Sequence, residues 1–118
     1  MNADIFTEKM MEALKEGMEK TQEYGHSELT PLHIIAAISE QEDQYLQNIL
    51  EKAGAKPLDF DRALNKALVR LPAQTPAPLQ ATPSMGFSKV INKAKEIMKS
   101  MKDKFVAVDT FLLACIEE

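Results

Sequence analysis

Few side chains in this 118-residue sequence are spaced for chemistry. Its only histidines, His26 and His33, stand seven apart, and its only cysteine, Cys115, lies far along the chain. A zinc site needs three or four such ligands held together, so this set is too sparse and no metal is expected. His33 stands 78 residues before Phe111 in an otherwise similar stretch, which points to a packed position and not to a ligand. Cys115 falls within an apolar helical pattern and reads as core; alone, it cannot close an intrachain disulfide. The glycines Gly17, Gly25, Gly54 and Gly86 are scattered, so there is no G-x-x-x-x-G-K-[ST] loop to cradle a phosphate. No local motif supports a Ser-His-Asp or Cys-His set. The chain does not read as an enzyme.

What remains is charge and apolar surface. Residues 1–51 carry 11 acids against 3 bases, and residues 52–118 carry 7 against 11, so a net charge of −4 hides two opposed halves. The basic excess sits in "KVINKAKEIMKSMKDK", Lys89 to Lys104. Those lysines alternate with apolar residues at helical spacing and fit a solvated outer face, which weakens the case for nucleic acid. Seven methionines are many for this length, and such side chains suit adaptable apolar surfaces. Met18 and Met101 fit core stripes; Met10 and Met11 suit either a core or a groove.

The elements that must position these groups are helices. Apolar residues recur at helical spacing almost throughout, and no stretch reads as a strand. The pattern predicts helices over about 7–24, 31–38, 43–53, 58–71, 84–102 and from about 108. Thr7, Thr30-Pro31 and Ser84 supply the starts, and Gly25 and Gly54 the stops. Phe87, Val90, Ile91, Ala94, Ile97 and Met101 should face inward on the fifth. "PAQTPAPLQATP", Pro72 to Pro83, has four prolines in twelve residues and reads as an extended linker. "LTPLHIIAAI" at Leu29–Ile38 returns loosely as "AVDTFLLACI" at Ala107–Ile116. A long helix followed by a short, very apolar one is therefore written twice, as in an internal duplication. No apolar run reaches the ~20 residues of a membrane span, and the acidic start is wrong for a signal peptide. A cytoplasmic or nuclear setting is expected.

The pieces "FTEKMMEAL", "GHSELTPLHIIAAI", "LNKALVRLP", "KVINKA" and "DKFVAVDTFLLACIEE", in this order, resemble the N-terminal (Clp repeat) domain of ClpB-type heat-shock protein disaggregases. The resemblance covers essentially the whole chain, and "PAQTPAP" looks most like the eukaryotic cytosolic members. It implies an all-α fold of two pseudo-symmetric helical repeats, 1–71 and 84–118, joined by a proline-rich linker at 72–83. The second repeat would be two helices shorter than the first. In that family the domain precedes two ATPase modules in a homo-hexamer. It engages exposed apolar segments of unfolded or aggregated polypeptides. ATP and magnesium belong to those modules, so no cofactor is expected in this domain.

The resemblance also implies site residues. A threonine at the start of helix one and two acids near the second short helix fall on Thr7, Asp103 and Asp109. Apolar groove positions fall on Ile91 and Thr110. Asp109 stands where many bacterial members have the longer glutamate, and Thr110 where leucine is common. Members that read phosphoarginine carry glutamate where this chain has Leu32 and Thr110, so that activity is not expected. Plain helix chemistry explains two of these residues as well: Thr7 caps a helix, and Asp109 complements the positive end of one. The reading of a different class is a basic helical module for nucleic acid or an acidic partner.

Overall fold

A computed structural model describes residues 3–118. After a short 3-10 turn, Ala3–Ile5, come α1 (Glu8–Tyr24), β1 (Glu28–Leu29), α2 (Pro31–Ser39), α3 (Tyr45–Lys52) and α4 (Pro57–Arg70). They are followed by β2 (Thr82–Pro83), α5 (Met85–Ser100) and α6 (Val108–Glu117). The helix starts follow their chemistry. The Thr7 hydroxyl accepts the Met10 N–H at 3.2 Å, and the Ser84 hydroxyl accepts that of Phe87 at 3.0 Å. Proline opens both α2 and α4, where its missing N–H costs nothing.

The expectation of no strand is corrected by β1 and β2, two residues each, paired in parallel with Glu28 against Thr82 and Leu29 against Pro83. Single bridges join Phe6 to Val106 and His26 to Ala73. The reason is local. The segments leading into the helices run side by side, and their N–H and C=O groups, which no helix supplies with partners, pair with one another. The exchange is reciprocal: the lead-in to α1 pairs with that of α6, and the lead-in to α2 with that of α5. Thr7 N–H donates to the Val106 carbonyl at 3.1 Å, and Ser84 N–H to that of Leu29 at 2.9 Å. A duplicated unit meeting its copy about a pseudo-dyad makes this pattern.

α1 packs along α2, and α5 along α6. Phe87, Phe111, Met10, Ile34, Ile38 and Val106 fill the shared core. A smaller cluster of Ala36, Leu64 and Leu68 seats α4 on α2. His33 and Phe111 are both fully buried, as equivalent core positions should be. Met10 is core, whereas Met11 is exposed. Met101 departs from expectation: it is 61% exposed. α5 ends at Ser100, the chain turns at Lys102 with φ 58°, and Met98 takes the inward place instead.

Candidate functional site

The reciprocal pairing brings the first turn of α1 beside the first turn of α6. Between them and the loop from α2 to α3 runs a groove of about 410 Å³, lined by Thr7, Glu8, Lys9, Gln41, Asp43, Tyr45, Ala107, Val108 and Asp109. Thr7 is held there twice, by its cap to Met10 and by its backbone bond to Val106. Asp109 accepts the Thr110 N–H at 2.8 Å, which fixes the carboxylate at the positive end of α6. Burial, and then the charges of Asp109 and Asp43, push the Tyr45 phenol above its usual range, so it stays neutral and able to donate. Gln41 forms part of the wall. Its Nε2 donates to the Lys9 carbonyl at 3.0 Å, and its Oε1 is buried without a partner among the described residues.

Asp109 also stands at the lip of a second, apolar trough of about 370 Å³. Ile35, Leu46, Ile49, Leu50 and Phe60 form one wall; Leu112, Leu113, Cys115 and Ile116 on α6 form the other. Leu113 is 41% exposed and Ile116 81%. Burial raises the Cys115 thiol to about 11, so it contributes apolar surface and no thiolate. Among the described residues no group of three or more histidines, cysteines or acids could hold a metal ion.

Of the five residues singled out in the sequence, the structure brings Thr7 and Asp109 together in one groove. Asp103 is exposed at the end of α5, where its N–H closes the helix on the Met98 carbonyl at 2.9 Å; it is not among the groove's lining residues. Ile91 is buried in the core on the inner face of α5. Thr110 is buried too, because its hydroxyl accepts the Ala107 N–H at 3.3 Å and so caps the start of α6. Gln41, Asp43 and Tyr45 were missed. Gln41 read as loop and Asp43 and Tyr45 as the start of the third helix, and only tertiary packing turns them toward α6.

The described residues contain no helix long and apolar enough to cross a membrane. The family model described as the Clp repeat (R) N-terminal domain matches residues 5–118. Heat shock protein 104 of Schizosaccharomyces pombe is 40% identical over 111 residues, covering 91% of this chain and 12% of that protein. The chaperone protein ClpB of Nitratidesulfovibrio vulgaris is 31% identical over 121 residues, 100% of this chain and 14% of its own length. The chain thus spans only a small part of these curated relatives. Among solved structures, the Hsp104 N-terminal domain from Candida albicans superposes with a TM-score of 0.87 at 35% identity, covering 95% of this chain and 73% of that one. The N-terminal domain of the ClpV1 ATPase from E. coli gives a TM-score of 0.86 over 97% of this chain and 69% of its own. At 16% identity, that likeness speaks to fold alone.

Proposed function

Because the chain belongs to the Clp repeat N-terminal domain family, we propose that it is the substrate-engaging domain of an ATP-dependent protein disaggregase. Its partners are unfolded or aggregated polypeptides in the cytoplasm, and it works within a larger hexameric ATPase. ATP binding and hydrolysis fall to the ATPase modules of that larger protein. The carrying observation is the apolar trough on α6 running into the polar groove at Asp109. An extended client segment would lay apolar side chains in the trough, gaining roughly 25 cal/mol for each Å² removed from water. Its backbone polar groups would meet Tyr45, Asp43, Thr7 and Asp109 in the groove. Few fixed hydrogen bonds and an open trough make for broad, weak capture, which suits a domain that must release what it holds.

Leu113→Glu puts a charge into the trough wall from a half-exposed position. It should reduce binding of a permanently unfolded model polypeptide at least about tenfold, the scale of one buried apolar side chain. Circular dichroism should show unchanged helicity. Wild-type affinity in a folded Leu113→Glu variant would rule the trough out as the client site. The reading as a basic module has its support in the exposed lysines of α5, among them Lys89 and Lys99. Lys93 is already paired with Glu96 at 3.7 Å, which leaves a divided face and no continuous basic track.

A further inference from the structure

The two histidines, unused by the groove, form a buried hydrogen-bonded pair where four segments meet. The Thr30 N–H (3.0 Å) and hydroxyl (2.9 Å) both converge on His33 Nδ1. A peptide N–H can only donate, so Nδ1 accepts and the ring proton lies on Nε2. His33 Nε2 stands 2.7 Å from His26 Nδ1 and donates to it. That leaves the His26 proton on Nε2, toward the backbone of Leu68 at the end of α4. The His26 ring stacks on Tyr24 with centroids 5.2 Å apart, and its backbone bridges Ala73 at the start of the proline-rich segment. Beside it the Gln74 N–H donates to the Gly25 carbonyl at 2.8 Å. The ring pair thus caps α2 and reaches the end of α4, and the backbone beside it holds the start of the linker.

Another proton breaks a bond of this relay. On His33 Nδ1 it would face the Thr30 N–H; on His26 Nδ1 it would face the His33 Nε2–H. We propose that the His26–His33 pair is an acid-released latch: neutral, it ties α2 to α4 and to the start of the linker; protonated, it frees those segments while α5 and α6 stay folded. Backbone hydrogen bonds at Leu68 and Thr30 favour the charged rings, but burial outweighs them. From α1 come Tyr24 and Lys20, and the Lys20 charge disfavours a charged His33. Glu28 lines the small cleft beside His26 with Ser27 and Thr30, while α4 and the linker present Leu71 and Pro72. Burial, then the neighbouring His26, lowers His33 to about 4, and burial lowers His26.

Nitrogen-15 spectra of the imidazoles at neutral pH should show both rings protonated on Nε2. Amide exchange, corrected for intrinsic rates, should then be followed downward in pH from neutrality. Protection at Gln74 should fall at least about tenfold by about pH 5, while Ala94 in α5 keeps its protection. His33→Phe, the side chain found at the equivalent Phe111, should shrink that pH dependence to the part carried by His26. If this variant does not fold, the wild-type exchange profile still decides. Constant Gln74 protection, its loss in step with Ala94, or a neutral-pH proton on His33 Nδ1 would each overturn the latch.

Discussion

Asp109 and Asp103 are both acids beside α6, yet only Asp109 lines the groove. Asp109→Ala should therefore weaken binding of an unfolded polypeptide about five- to tenfold, the loss of one charge-assisted hydrogen bond. Asp103→Ala should bind as wild type. Titrations by fluorescence anisotropy separate the two, and equal losses would show that the groove extends to the end of α5. Thr7→Ala removes both a groove hydroxyl and an N-cap worth ~1 kcal/mol. Its affinity must therefore be compared where both proteins are fully folded. At the same scale lies the pH dependence of stability. His33 falls from 6.5 to about 4 on folding, and His26 is lowered as well. The unfolded chain therefore binds protons more readily, and the stability these rings contribute is complete above about 6.5. It is lost as pH falls from there toward 4. Denaturant melts across that window should show a decline that His33→Phe makes shallower, leaving the part due to His26. The helix-start roles of Thr7 and Asp109 could be read from the sequence, whereas their candidacy as site residues came only from the family resemblance. The histidine relay could not be read there, since nothing in a seven-residue spacing says that two rings will touch.

At the level of elements, α1 and α5 end alike. At α1, Gly25 turns with φ 73° and His26 N–H closes on the Thr21 carbonyl at 2.8 Å. At α5, Lys102 turns with φ 58° and Asp103 N–H closes on that of Met98. Lysine in that region is strained by about 1 kcal/mol, part of which glycine would return as unfolded-chain entropy. Lys102→Gly should thus gain about 0.5 kcal/mol, read as a higher denaturation midpoint. Gly25→Ala should lose more than about 1 kcal/mol, because the turn is left-handed. Its new Cβ would also sit 2.6 Å from the Gln74 carbonyl. Helix starts were legible to within a residue or two, since Thr, Pro and Ser announce them. The end of α5 was not: Ile97, Met98 and Met101 all satisfy helical spacing, and only the turn at Lys102 decides which side chains remain inside. The strand pairs were hidden because backbone hydrogen bonds between distant lead-in segments leave no side-chain signature.

For the molecule as a whole, the duplication visible in "LTPLHIIAAI" and "AVDTFLLACI" foretold two facing helical pairs. It could not show that their closure would leave an apolar trough on α6 opening into a groove at Asp109. That surface is the basis of the proposed function, and its physics differs from that of the lysines on α5. Apolar burial is nearly indifferent to ionic strength, whereas phosphate or acidic-surface binding falls steeply with it through counterion release. The most direct test is the affinity of the 118-residue chain for a permanently unfolded polypeptide across a salt series, with a DNA duplex as comparison. The proposed function predicts an affinity for the polypeptide that holds within about twofold from ~50 to ~500 mM salt, and no saturable binding of DNA. Polypeptide binding that collapses over that range, or DNA binding that shows the steep salt slope of phosphate contacts, would contradict it.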